Sequence, residues 1–231
     1  MHTLIHFRLC PLSRAIRIAL AELGIEPELI EERPWEWRPE LLALNPAGEL
    51  PVLQIEGGTT LCGVYAISEY LAEGTSNDPD DVQALPLFPG NREQRAEARR
   101  LADWFNSKFH REVTQELLNE RVYTRLQAGA GLTPDPDILR AIRSNLRYHM
   151  GYVSHLAHQR RWLAGEELSF ADLAAAAHLS SVDYLGEVPW EEFAAAKVWY
   201  ARVKSRRAFR SLLTDRLPGS IPPTHYANLD F

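Results

Sequence analysis

Residues 45–53 read Asn-Pro-Ala-Gly-Glu-Leu-Pro-Val-Leu, and this run constrains the fold more than any other stretch of the chain. Asn45, Pro46 and Gly48 spell a tight turn, because each tolerates or imposes backbone geometry that ordinary residues avoid. Leu50-Pro51 then leads directly into a short apolar strand over 52–55. A second strand over 59–61 returns across Gly57-Gly58, a hairpin spacing. Upstream, residues 3–7 read as a strand. Residues 11–23 read as a helix, with Ile16, Ala19, Leu20 and Leu23 recurring at i, i+3, i+4 and i+7. Gly24 follows as its terminating glycine. Residues 28–32 make a weaker strand, and 33–39, with two prolines and two tryptophans, break regular structure. One or two helical turns over 40–44 and a helix over 64–73, with Ile67, Tyr70 and Leu71 on one face, complete a β-α-β-α-β-β-α order.

Beyond residue 76 the pattern changes. Three prolines between 79 and 89 bar a helix there, so 77–90 reads as a linker. Everything that follows is helical. Asn91 and Gln94 have capping-box spacing and open a long helix to about residue 120. Gly129, Gly131 and Pro134 interrupt the chain. Asp135 caps the next helix with Pro136 at its first position, and that helix runs to about 161. Ser169 and Asp172 open another, in which Ala174 to Ala177 permits close helix packing. Glu191 and Glu192 are expected to start a further helix, favoured by the helix dipole. Residues 208–213 make a last short one. The expected division is therefore a mixed α/β domain over 1–76, the linker, an all-α domain over 91–213 and a tail over 214–231.

The capping-box segment also carries a resemblance. Trp162-Leu163-Ala164-Gly165 followed by Ser169-Phe170-Ala171-Asp172-Leu173 looks like the buried capping box of the glutathione transferase superfamily. The β-α-β-α-β-β-α order with Leu50-Pro51 resembles the thioredoxin-like domain of the same superfamily. The likeness spans nearly the whole chain. It implies a thioredoxin-like N-terminal domain with a helical-bundle C-terminal domain, a cis bond between Leu50 and Pro51, and a backbone edge at Leu50 for the glutathione peptide. It also implies an acidic residue and a serine gripping the γ-glutamyl group. Here those positions are Gly63 and Val64, so the main polar clamp is missing and the glutathione site is degenerate.

Cys10 precedes Pro11 at the start of the first helix and resembles the Cys-Pro of omega-type transferases and glutaredoxins. Free backbone N–H groups and Arg14 one turn on would favour a thiolate. The functional reading is a nucleophile forming a mixed disulfide. The competing one is a small buried hydrophobe at a strand-to-helix turn. Ser13 reads as a helix-start hydrogen bonder, because no His or acid is evidently paired with it, and Cys62 reads as core beneath the hairpin. His155 and His158 share a helix face, but no third ligand completes a metal set, and neither metal nor cofactor is called for. Trp35 and Trp37 lie in a charged loop. One is expected to pack inward and the other to serve as a binding anchor.

The C-terminal stretch is unusual for a chain end. Pro222, Pro223, His225, Tyr226, Leu229, Asp230 and Phe231 combine a stiff backbone with apolar anchors and an acidic tip. It reads as a partner-recognition element or as a strap docking on the chain's own body, for example on a basic face around Arg206, Arg207 and Arg210. The tail narrows the resemblance to FtsZ-binding, division-associated members of the superfamily in alpha-proteobacteria. That resemblance implies a cytoplasmic homodimer at the division site that binds FtsZ filaments and alters their curvature and bundling.

Composition bears on the rivals. Residues 1–85 hold 14 acidic and 5 basic side chains and the rest 17 and 20, so the two parts carry −9 and +3. The asymmetry either balances in solution or suits cross-pairing of two subunits. The basic residues are not interleaved with aromatics, so nucleic-acid binding is not expected. No apolar run is long enough to cross a membrane, and the start lacks the basic and apolar regions of a signal peptide. Two cysteines make no disulfide framework and suit a reducing cytoplasm. The expectation is a non-catalytic adaptor of FtsZ filaments. One rival is a glutathione-dependent thiol transferase or reductase using Cys10. The other is a module that binds a different macromolecule, such as a transcription or stress regulator.

Overall fold

The structure is a computed structural model, and it describes residues 1–74, 87–128 and 133–229. A four-stranded sheet has the order β2-β1-β3-β4, built from β1 (Thr3–His6), β2 (Glu28–Glu31), β3 (Val52–Gln54) and β4 (Thr60–Cys62). β1 pairs parallel with β2, which needs the crossover helix α1 (Pro11–Glu22) between them. β3 runs antiparallel to both β1 and β4, as the Gly57-Gly58 hairpin requires. The loop after β2 holds a 3-10 turn, Pro34–Glu36, before α2 (Pro39–Leu44). α3 (Val64–Gly74) follows β4 and packs on α1.

The helical part begins as the caps predicted. Asn91 accepts from the backbone of Glu93 and Gln94, while Gln94 reaches back to the Asn91 N–H. Helix α4 (Arg92–Asp103) does not end near residue 120, as expected. It continues as a π-helical stretch Trp104–Thr114, then α5 (Gln115–Leu118), a second π-helical stretch Asn119–Tyr123 and α6 (Thr124–Ala128). Phe105, Phe109 and Val113 are fully buried and recur every four residues, a wider spacing than the α turn of about 3.6, and the wider π turn suits it. Asp135 caps α7 (Pro136–Gln159) by accepting from the Asp137 and Ile138 amides. Glu191 and Glu192 do not start a helix. They sit in a 3-10 turn ahead of α9 (Ala194–Lys204), where they pair with Lys197 and Arg147.

Helix α8 (Phe170–Tyr184) is the axis of the molecule, and every one of its residues is buried. Its start is held by the Asp172 carboxylate. That group accepts from the Leu163 amide at 2.8 Å, the Ser169 amide and hydroxyl at 3.1 Å each, and Trp199 Nε1 at 2.9 Å. Burial pushes this carboxyl up, and the four hydrogen bonds offset only part of that rise. The small side chains Ala174 to Ala177 let neighbouring helices approach closely. On one side lies α1, so the helical part and the sheet domain meet across α1 and α8. Ser181 Oγ donates to the Leu9 carbonyl at 2.9 Å across that junction. After the short α10 (Arg210–Leu213), the chain crosses back over this junction through a 3-10 turn, Thr224–Ala227.

Candidate functional site

The Asn-Pro-x-Gly turn is closed by its own side chain. Asn45 Nδ2 donates to the Glu49 carbonyl at 2.9 Å, its Oδ1 accepts from the Ala47 amide, and the Gly48 amide donates to the Asn45 carbonyl. The Leu50–Pro51 bond is cis. The Pro51 carbonyl accepts from the Gly63 amide at 3.0 Å, which places the clamp positions beside the Leu50-Pro51 edge. Gly63 has φ +84° and open space where a side chain would stand. Val64 is buried. This end of the site offers backbone and no charge.

Cys10 sits where expected, at the cap position of α1, yet its environment opposes thiolate formation. The thiol is buried, and burial pushes it up beyond what Ser13, the nearby amides and Arg14 restore. Ser13 is buried beside the thiol, and its hydroxyl and amide both favour the thiolate there, though burial outweighs them. Above Cys10, Phe7, Trp35 and Tyr123 form an aromatic cluster with ring centroids 4.7–5.7 Å apart. Tyr123 comes from the helical part and Trp35 from the loop after β2, so the two domains together close the roof. Tyr123 was invisible as a site residue because only the tertiary fold brings it there.

Of the groups that favour the Cys10 thiolate, Arg14 does so least, because its hydrogen bonds go elsewhere. It is fully buried, donating through Nη1 to Ser180 Oγ at 2.8 Å and to the Tyr226 hydroxyl at 3.1 Å, and through Nη2 to Asp215 at 3.2 Å. Arg17 shares Asp215. Two arginines within an otherwise apolar helix were the available signal of this buried pairing.

Of the tryptophans, Trp35 turns inward and Trp37 is 62% exposed. Trp37 adopts a left-handed backbone, φ +49°, and its ring lies over Gly48; a Cβ there would come within 2.8 Å of it. Glycine at 48 therefore makes room for the indole. Cys62 is only partly buried, its Sγ donating to the Leu44 carbonyl. His155 and His158 are exposed.

The tail docks on its own body, but not where the sequence suggested. Arg206 is engaged by Glu22 and does not receive the tail. Tyr226 is no exposed anchor: it is fully buried, stacks edge-on against Tyr184 at 5.2 Å, and donates from its hydroxyl to the Leu212 carbonyl at 3.0 Å. His225 Nε2 meets Asp183 Oδ1 at 2.9 Å, and the His225 carbonyl accepts from the buried Lys204 at 2.9 Å. Burial holds the Lys204 ammonium down, to about 8. Pro222 and Pro223 carry the chain into this turn, partly exposed, and Leu229 packs partly on the core. Asp230 and Phe231 lie outside the described residues.

Comparison with known proteins agrees with this architecture. The family descriptions "Glutathione S-transferase, N-terminal domain" and "Glutathione S-transferase, C-terminal domain" match residues 9–73 and 134–207. FtsZ-localized protein A of Caulobacter vibrioides (strain NA1000 / CB15N) is 46% identical over 99% of this chain and 98% of its own. The crystal structure of a glutathione S-transferase from Sinorhizobium meliloti 1021 superposes with a TM-score of 0.93, 48% identity and complete coverage of both chains. The structure of FzlA from C. crescentus superposes with a TM-score of 0.91 and 44% identity, covering 100% of this chain and 99% of that one. The chain belongs to the glutathione S-transferase family, in the group that contains FtsZ-localized protein A.

Proposed function

We propose that this protein is a transferase-fold adaptor that binds FtsZ filaments at the division site and regulates their curvature, bundling and constriction without transferase chemistry. The full-length 46% identity to FtsZ-localized protein A carries the reading. The site geometry supports it from the other direction. A thiol transferase needs an accessible, acidic thiol and a grip on glutathione, and here the thiol is roofed and pushed up while the clamp is Gly63-Val64. The partner surface centres on exposed Trp37 and the outer face of the tail, from Pro222 and Pro223 through His225 and Leu229 to Asp230 and Phe231. Trp35 and Tyr226, both turned inward, fix the loop and the tail to the body of the protein. A homodimer would present two such surfaces to a filament and gain avidity.

Co-sedimentation with FtsZ and GTP tests the proposal. The expected result is co-pelleting that Trp37→Ala weakens. Absence of the protein from the filament pellet would refute it. A second reading is glutathione-dependent thiol chemistry at Cys10, favoured by the likeness to the Sinorhizobium glutathione S-transferase. Tight glutathione binding together with Cys10-dependent turnover would select it.

A further inference from the structure

Among the described residues, β2 is an edge strand with its outer side bare. In the parallel ladder the Glu28 amide donates to the His2 carbonyl at 2.9 Å and the Glu32 amide to the His6 carbonyl at 2.8 Å. Residues of that parity therefore face β1, and the amides and carbonyls of Leu29 and Glu31 face the open side. All four residues of β2 are exposed, including Leu29 at 46% and Ile30 at 44%. No proline, lysine or bulge within β2 blunts this edge, which is how edge strands are usually protected. Leu29 also lines a cavity of about 770 Å³, within the size range of binding sites, whose apolar wall is Ala21, Ile25, Pro27 and Ala208. Open backbone groups beside an apolar cavity are the two halves of strand-addition recognition: main-chain hydrogen bonds hold the peptide, and the cavity reads one side chain.

Charge decides the occupant. The cavity's Arg206 is paired with Glu22, and its Arg17 shares Asp215 with Arg14 and is turned into the body of the protein. Glu26 and Glu28, both exposed at the entry to β2, form no ion pair among the described residues. Glu31 is already held by Arg8. Arg207, on the far wall, is the free cation of the lining among the described residues. The strand itself is thus flanked by uncompensated carboxylates. We infer that β2 is a docking edge for an extended, basic peptide segment of a partner protein, which adds as a fifth strand and places an aliphatic side chain, flanked by Lys or Arg, in the cavity beside Leu29.

The test titrates the ¹⁵N-labelled full chain with a capped Lys-Leu-Val-Leu-Lys peptide and with its Glu-Leu-Val-Leu-Glu counterpart. The basic peptide should shift the amides of residues 28–32 and slow hydrogen exchange at Leu29 and Glu31. Leu29→Lys, an exposed substitution, should weaken it by at least about tenfold, equal to about 1.4 kcal/mol. Glu26→Lys with Glu28→Lys should reverse the ranking of the two peptides, and Arg207→Glu should tighten the basic one. Equal binding of both peptides, shifts away from the edge, or no response at about 1 mM, the millimolar ceiling of weak docking, would overturn the inference. So would peptide-free, concentration-dependent broadening confined to β2, which would assign the edge to a second copy of this chain.

Discussion

Replacing Tyr226 tests whether the tail is part of the core or an appendage to it. Its hydroxyl is shared between Arg14 and the Leu212 carbonyl, and its ring fills space against Tyr184. Tyr226→Phe keeps the ring and strips the hydroxyl. The Leu212 carbonyl then keeps only backbone donors such as the Asp215 amide and the Arg14 guanidinium loses one of its acceptors, two hydrogen bonds of about 0.5–1.5 kcal/mol each, or about 1–3 kcal/mol together. Tyr226→Ala adds the cavity of a lost aromatic ring, about 3–5 kcal/mol more. Taking about 2 and about 6 kcal/mol as central values, and about 2–4 °C of midpoint per kcal/mol for a chain of this length, Tm falls by about 4–8 °C for Phe and about 12–24 °C for Ala. The second loss is a large part of a typical folding stability of about 5–15 kcal/mol. Thermal unfolding followed by circular dichroism reads both values. A Phe variant within about 1 °C of the parent, or an Ala variant no worse than Phe, would refute the argument, because the measured effect would fall below that of even one buried hydrogen bond. Deleting residues 226–231 should destabilise similarly. A division defect caused by that deletion must therefore be compared with Tyr226→Phe before it is credited to partner contact.

Three further outcomes follow. Glutathione binding should be weak: the missing clamp forfeits two charged hydrogen bonds of roughly 1.5–3 kcal/mol each, about two to four orders of magnitude, and a micromolar constant by calorimetry would contradict that. Gly63→Glu with Val64→Ser should recover only part of the loss, since Glu at φ +84° is strained by about 1–2 kcal/mol, seen as a lower Tm than Val64→Ser alone. Ellman's reagent at neutral pH should modify partly buried Cys62 before Cys10, and equal or reversed rates would show that the aromatic roof is open. Burial lowers His6 and His110 to about 4, so between pH 6.5 and 4 the unfolded chain takes up protons that the folded one refuses. Stability is thus fully present above that window and falls with pH through it, by about 3 kcal/mol for each histidine, and His110→Gln should flatten the decline measured by urea unfolding.

What was legible in the sequence was local. The Asn45–Gly48 turn, the Asn91 and Asp135 caps and the Ser169–Asp172 box each satisfy backbone groups within a few residues, so their spacing carries their geometry. Leu50-Pro51 and Gly63-Val64 located the degenerate site because both lie on adjoining strands and turns. The π-helical widening was not legible, because it answers to helices that pack against Phe105 and Phe109. Cys10 was legible as one of two readings: the helix start and Arg14 argue for thiolate, the missing clamp for a small buried hydrophobe, and the burial of the thiol favours the second. For Tyr226 the company of prolines and a terminal aromatic leaves two directions open, toward a partner or toward the chain's own body. Its true direction depends on Arg14, more than two hundred residues away.

That distance sets a timetable for synthesis. Arg14 emerges from the ribosome with the first helix, while its carboxylate at Asp215 and its phenol at Tyr226 follow more than two hundred residues later. Until they arrive, closing the sheet domain onto α8 would bury a guanidinium without its counter-charge, which costs about 3–5 kcal/mol. The N-terminal domain, normally the first to fold on a growing chain, thus gains the last partners of its first helix only when the far end of the helical part has been made. A fragment cut before residue 215 would have to pack its first helix on α8 with Arg14 short of that carboxylate.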